Sequence, residues 1–278
     1  MYLDVLLREA GAAAMSWFGR GGVRLKADAS PVTDADLAAE AVLIEGLRRV
    51  WPDDTIISEE CGVLPGGSGA VWYVDPIDGT SAFTEGLAHF GPTVARVTEG
   101  PGGRRIVLGA TRLPRLDEGY HVESGVGWWN GARLPPLAAR SPSRVVYLPS
   151  GFHRTYLLDY PGKGRCLGGT AAHLALVARG AAGAVIVPPA WSLWDTAAGL
   201  ALIDDLGGRA VRLPDGAPLD PFRDEGVPFL AGFDEVVMDL LAPGRIFAVP
   251  SPGLSPPAGS RTEAHPLPPL PGARNAGP

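Results

Sequence analysis

The amino-acid sequence predicts a layered α/β (α+β) fold, and three observations predict it. Apolar residues recur at helical spacing near the N-terminus. The middle of the chain reads as short strands between Gly and Pro turns, and the last third alternates strand-like and helix-like segments. With 278 residues, of which 46% are hydrophobic, the chain can bury a sizeable core as one large domain or two closely packed ones.

Leu3, Leu6, Leu7, Ala10, Ala14 and Trp17 share one face of a first helix over about 3–18. Asp4, Arg8 and Glu9 interrupt its apolar pattern, so it reads as a core helix rather than a signal peptide. A second helix over about 34–50 has Leu37, Ala41, Ile44 and Leu47 on one face. Strands follow at 55–58 and 71–74, each ending in acidic residues. From 92 to 147, TVARV, RIVLGA, GYHVE and RVVYL form a mainly antiparallel region. Beyond Arg165 come a helix over 171–179, the strand GAVIV and a helix over 194–206. The strands RAVRL and VPFLAG and a helix over 234–241 complete the set. This order divides residues 1–249 into an N-terminal α+β part, about 1–147, and a C-terminal α/β part, about 148–249. Residues 250–278 are rich in Pro, Gly and Ser and read as a flexible tail.

Charge narrows the function classes. The chain has 24 basic and 30 acidic residues, a net charge of −6, and no dense basic run, which argues against nucleic acid as a partner. An anionic small substrate stays open, because bound metal ions supply positive charge. Two cysteines, Cys61 and Cys166, form no disulfide framework and lack metal-site spacing, so a reducing, cytoplasmic setting is expected. No apolar run approaches the roughly 18–20 residues that span a bilayer, so no membrane partner is expected.

Four acidic segments stand out: KADASPVTDAD (26–36), SEE (58–60), DPIDGTSAF (75–83) and WDTAAG (194–199). Each has a plain structural explanation. Thr33 and Asp36 have capping-box spacing, Glu59 and Glu60 close a strand, and Asp195 complements a helix dipole. DPIDGT is harder to explain as a turn alone, since two aspartates flank an apolar residue after VWYV. Mg²⁺ prefers hard oxygen ligands. Asp75 and Asp78 can reach one point from the two sides of the turn, and the Ile77 carbonyl offers a third oxygen. Gly79 admits a phosphate close to the backbone, where N–H groups bind its oxygens. Glu59 and Asp195 would add carboxylates that repel one another unless a cation holds them.

In this order and at about these separations, the four segments resemble the inositol monophosphatase family of lithium-sensitive, metal-dependent sugar phosphatases. DPIDGTSAF is similar to D-P-[ILV]-D-G-T-x-x-F, WDTAAG to W-D-x-A-A-G, and the resemblance covers about 5–243. It implies an α-β-α-β-α sandwich. It also implies Mg²⁺ ligation by Glu59, Asp75, the Ile77 carbonyl, Asp78 and Asp195, with two or three ions per site and inhibition by Li⁺. Asp36 and Thr80 would orient and deprotonate the attacking water, with Glu59 as a further catalytic group, and Lys26 and Glu60 would support the carboxylates. Gly79, Thr80 and Ser81 would bind substrate, together with Gly169, Thr170 and Ala171, the last three resembling a segment that meets ring hydroxyls. Relatives are commonly homodimers.

One departure bears on the substrate. Inositol-preferring members place a Glu seven residues before the WD aspartate, where this chain has Pro188. Trp191 is a candidate to stack on a substrate ring, His153 is the histidine expected to face substrate, and Cys61 is expected to pack inside. The expected function is hydrolysis of a small phosphorylated metabolite of the inositol or sugar phosphate class. WDTAAG is closer to the 3′(2′),5′-bisphosphate nucleotidase members, whereas PTVARVTEG and RIVLGATRLPRLDEGY are closer to the histidinol-phosphatase-like ones. A non-catalytic regulatory or interaction protein on the same fold is the alternative from another class.

Overall fold

The computed structural model describes residues 2–20, 23–25, 31–213 and 215–248. Lys26 and the expected tail, 250–278, lie outside the described residues. Seven helices occur among those described: α1 Tyr2–Met15, α2 Asp34–Val50, α3 Thr80–Thr84, α4 Phe152–Thr155, α5 Thr170–Arg179, α6 Leu193–Asp205 and α7 Asp234–Leu241.

The larger of the two main sheets has eight strands. Their spatial order is Ala132–Arg133, Val126–Trp129, Glu118–Glu123, Gly103–Leu113, Gly91–Gly100, Val71–Asp78, Thr55–Ser58 and Gly62–Leu64. Its neighbours run antiparallel except Thr55–Ser58 and Val71–Asp78, which are parallel. The second sheet has five strands, in the order Lys163–Arg165, Val145–Tyr147, Ala184–Val187, Phe229–Gly232 and Arg209–Arg212. The first three run parallel and the rest pair antiparallel. Val145–Tyr147 belongs to this second sheet, so the chain changes sheets between Arg133 and Val145.

Helices α1 and α2 pack on the larger sheet, α5 and α6 lie between the sheets, and α7 packs on the outer strands of the smaller one. The layers are therefore α-β-α-β-α. Two apolar cores follow from this order. One lies under α1 and α2, around Leu7, Leu43, Trp72 and Phe90. The other fills the inter-sheet space around Leu174, Ile186, Leu202 and Phe229.

The boundaries of α2 and α7 coincide with those expected, but the inward face of α2 does not. Leu37 is 44% exposed and Ala41 is exposed, while Ala35, Asp36, Ala39, Glu40, Leu43 and Leu47 are buried. Two carboxylates lie on the inward stripe, Asp36 held by Thr33 and Thr80 and Glu40 by Ser58 and Cys61, so hydrophobicity alone misplaces the face by a rotation. Trp17 lies past the end of α1 and is 37% exposed instead of continuing its apolar face.

Candidate metal centre and active site

The site forms where the parallel strands Thr55–Ser58 and Val71–Asp78 end. The N–H of Glu59 donates to the Val74 carbonyl (3.1 Å), which sets Glu59 beside Asp75. Residues three apart on a regular strand face opposite sides. Here the register against Gly91–Gly100 slips, so that Asp75 faces Thr93 and Asp78 faces Gly91. The extra residue swings both carboxylates to one side. Asp75 Oδ1 accepts from the N–H of Ile77 (2.9 Å), which tightens the turn.

Asp195 arrives from α6, where it closes a capping box with Ser192; the Ser192 N–H donates to its Oδ2 (2.8 Å). Carboxylate oxygens of Asp75, Asp78 and Asp195 lie within 4.8 Å of one another. Asp75 and Asp78 are only 2% and 5% exposed. Burial pushes the Asp75 carboxyl well above the usual range, and the negative charges of Glu59, Asp78, Asp195 and Asp36 push it further. Asp78 is raised by burial and by Asp195, against the pull of three backbone N–H donors. A compact set of hard oxygen donors whose mutual repulsion disfavours ionisation fits a cation such as Mg²⁺, which takes carboxylate oxygens and relieves that repulsion.

Asp36 performs two tasks with two oxygens. Its Oδ2 accepts from the Thr33 N–H (2.7 Å) and hydroxyl (2.6 Å), completing the capping box of α2. Its Oδ1 accepts from the Thr80 hydroxyl (3.3 Å), which also lies 3.1 Å from the Ile77 carbonyl. Burial raises the Asp36 carboxyl above its ordinary value, although the Thr33 donors oppose this.

The start of α5 is turned toward Asp78. The N–H of Thr170 donates to Asp78 Oδ1 (3.0 Å), and those of Ala171 (2.9 Å) and Ala172 (3.4 Å) donate to Oδ2. Three donors of this helix N-terminus are thus satisfied by a remote aspartate. Gly169 and Thr170 line the cavity, whereas Ala171 is fully buried and does not. Gly79 sits at φ +84°, and a Cβ there would come within 2.8 Å of the Gly169 nitrogen, so both the backbone and the close approach call for glycine.

A cavity of about 350 Å³ opens beside the acidic cluster. Glu59, Asp78, Gly79, Thr80 and Ser81 line it, together with Ser150 and with Val185, Ile186, Val187 and Pro188. Trp191 is not part of it. Its ring is 4% exposed, its indole N–H donates to the Val227 carbonyl (2.6 Å), and its edge meets Phe229. His153 is exposed on α4 and does not line the cavity, while His173 does. His173 stacks on Tyr147, accepts from the Leu167 N–H (3.1 Å), and is held neutral with a pKa lowered to about 4 by burial. Cys61 is exposed rather than packed, and Cys166 lines the cavity 3.3 Å from Ser150 Oγ.

Glu40 is the residue that motif reading missed. Only 6% exposed, it accepts from the Ser58 hydroxyl (2.5 Å) and the Cys61 N–H (2.9 Å) through one oxygen. Those contacts clamp both ends of the turn that carries Glu59 and half-buried Glu60. Its spacing of four from Asp36, on the same helix face, was the available signal.

The model of the inositol monophosphatase family matches residues 4–231. A histidinol-phosphatase of Chlorobaculum parvum is 34% identical over 224 residues, covering 73% of this chain and 81% of its own. A fructose-1,6-bisphosphatase/inositol-1-monophosphatase of Thermotoga maritima is 32% identical, covering 73% and 80% respectively. In structure, the extragenic suppressor protein SuhB of Bartonella henselae superposes with a TM-score of 0.76 at 25% identity, covering 87% of this chain and 98% of that one. A buried carboxylate cluster, a cavity at its edge and a match over most of the chain lead to one conclusion: the chain belongs to the inositol monophosphatase family and is a phosphoric monoester hydrolase.

Proposed function

We propose that this phosphatase is Mg²⁺-dependent and hydrolyses the phosphate monoester of a small metabolite by direct attack of water. The observation that carries this reading is the convergence of Asp75, Asp78 and Asp195 within 4.8 Å at the cavity edge. When bound, Mg²⁺ supplies positive charge to phosphate oxygens and acidifies water. Glu59, Asp75, Asp78, Asp195 and the Ile77 carbonyl are the groups that would hold it, with Glu59 also orienting the water. Asp36 accepts the Thr80 proton, which leaves the Thr80 oxygen able to take a proton from the attacking water. The raised basicity of Asp36 suits that relay. Gly79, Thr80 and Ser81 would hold phosphate oxygens through backbone N–H groups. Glu60 and Lys26 are proposed to steady the carboxylates from behind.

A panel of phosphorylated metabolites and p-nitrophenyl phosphate, assayed with Mg²⁺ and with excess chelator, tests the proposal. Activity confined to the Mg²⁺ arm and suppressed by Li⁺ is expected; full turnover in chelator overturns it. Histidinol phosphate is the second reading within this class, because the 34% identical relative is a histidinol-phosphatase and Pro188 gives the cavity wall no polyol-binding carboxylate. We further propose a homodimer working in the cytoplasm; no described helix is long and apolar enough to cross a membrane.

A further inference from the structure

A second cavity, of about 600 Å³, shares no lining residue with the one beside the acidic cluster. Its size falls within the range of roughly 300–1,000 Å³ usual for small-molecule sites. It opens between the strand Gly103–Leu113, the C-terminal half of α6 and the segment around Leu219 and Phe222. Consecutive strand residues ordinarily face opposite sides, yet Ile106 and Val107 both line it. The cause is a bulge: Val97 pairs with Ile106 and Arg96 with Leu108, so Val107 is an extra residue that re-aims the strand. Ile106, Val107, Ala201, Ala210, Leu219 and Phe222 are each half-buried, so the cavity has an apolar lining that a ligand can still reach.

The charges around that lining form two unlike groups. Arg104 and Arg105 come from the strand, and the Arg104 guanidinium lies 6.0 Å from the centre of the Phe222 ring. Asp204 and Asp205 come from the end of α6, whose last turn carries no basic residue. Two carboxylates therefore stand at the negative end of a helix dipole, where a cation would be favoured. Burial and the charge of Asp204 raise the Asp205 carboxyl above its ordinary value, and Arg105 opposes this only in part. Among the described residues Arg105, Asp204 and Asp205 make no direct ion pair, and Arg104 reaches only Glu99, at 3.8 Å. A simple anion would leave the aspartates unmatched, and a simple cation would leave the arginines so. A zwitterion with an apolar body matches both groups and the lining between them. Arg105 acts on Asp205 through space, so opposite charges flank one region, as the adjacent ammonium and carboxylate of an α-amino acid require. We infer that this cavity is a second ligand site, and that it takes a free α-amino acid with a large apolar side chain. The ammonium meets Asp204 and Asp205, the carboxylate meets Arg104 and Arg105, and the side chain lies on Ile106, Leu219 and Phe222.

Isothermal titration of the full chain tests this, with L-phenylalanine, L-leucine and L-tryptophan as candidate ligands. The controls are 3-phenylpropionate, which lacks the ammonium, phenethylamine, which lacks the carboxylate, and glycine, which lacks the apolar body. At least one of the three amino acids should bind saturably, one per chain, and at least about tenfold more tightly than every control. Arg105→Gln and Asp205→Asn replace exposed side chains, so they should fold normally and each weaken that binding by about tenfold. Asp78→Asn, which alters the other cavity, should bind as the natural chain does. No saturable binding at millimolar concentration overturns the inference, as does a control that binds equally well. Affinity unmoved by both cavity substitutions, or lost in Asp78→Asn, overturns it too, because the ligand then sits elsewhere. The phosphatase reading is untouched by any of these results, since none of them measures turnover.

Discussion

Two strands end at the same cavity with opposite chemistry. Val71–Asp78, in the larger sheet, ends in two buried aspartates and a slipped register. Ala184–Val187, in the smaller sheet, is buried at every position and runs straight into Pro188. The acidic strand is built against its own stability, since like charges packed at 2–5% exposure repel. The apolar strand is built for stability and meets the cavity at its end. On the function proposed above, chemistry and selectivity would be carried by different sheets, so that one could change without disturbing the other.

The largest expected effect is on the acidic side. Asp78→Asn should lower kcat by several orders of magnitude, because the cluster loses one of its three carboxylates. In chelator, however, the same variant should melt close to the temperature of the natural chain, since relief of the repulsion with Asp195 offsets the lost Thr170 bond while the amide oxygen still accepts from Ala171 and Ala172. Calorimetry in chelator beside steady-state kinetics in Mg²⁺ checks both halves. A variant that is active, or that melts far lower, breaks the contrast between the strands.

The pH dependence of stability should have opposite signs on the two sides. His173 is neutral when folded, with a pKa near 4 against 6.5 unfolded, so the unfolded chain takes up its proton first as pH falls. Stability is lost between pH 6.5 and about 4, by up to about 3 kcal/mol at 1.36 kcal/mol per pKa unit. The buried carboxyls Asp36, Asp75 and Asp78 are raised, so in chelator the folded chain binds protons more readily, and their repulsive cost fades as pH falls toward 3.8. Urea unfolding against pH should therefore show a steeper acid loss in the natural chain than in His173→Gln. Identical slopes would remove His173 from the account.

A smaller effect sharpens the acidic side further. Glu40→Ala strands the buried Ser58 hydroxyl and the half-buried Cys61 N–H and should cost about 1–3 kcal/mol of stability. It should also raise the Mg²⁺ concentration for half-maximal activity several-fold, because the turn bearing Glu59 loses its clamp. Both of its bonds go to one oxygen, so Glu40→Gln should keep most of the function. A Gln variant as impaired as the Ala variant would show that charge, not position, is what matters.

The smallest effect probes the apolar strand end. Inositol 1-phosphate should trail the best monophosphate by about tenfold in kcat/KM, the loss of roughly one charge-assisted hydrogen bond. Pro188→Glu should recover part of that deficit. An inositol ester that already leads the panel would show that the Pro188 wall does not set the preference.

Much of this was legible before any coordinates. DPIDGTSAF and WDTAAG announce the family because metal chemistry demands particular oxygens at fixed local spacing, and α2 begins at Asp34, as its capping residues dictate. The rest depended on contacts between distant segments. Glu40 belongs to no motif, and its role shows only in the donors Ser58 and Cys61, which reach it from 18 and 21 residues away. Nothing in GGTAAH shows that the N–H groups of Thr170 and Ala171 meet Asp78, more than 90 residues back in the chain. Trp191 passed for a stacking platform until Val227 was found to hold its indole.

By itself, then, the amino-acid order determined the elements, the family and the acidic chemistry, because propensity, capping and motif spacing act over a few residues. Only the tertiary structure decided which face of α2 looks inward, that the start of α5 meets Asp78, and which residues line the cavity. Those are outcomes of packing two sheets around α5 and α6, and a partner's position across such a layer is not encoded in local spacing.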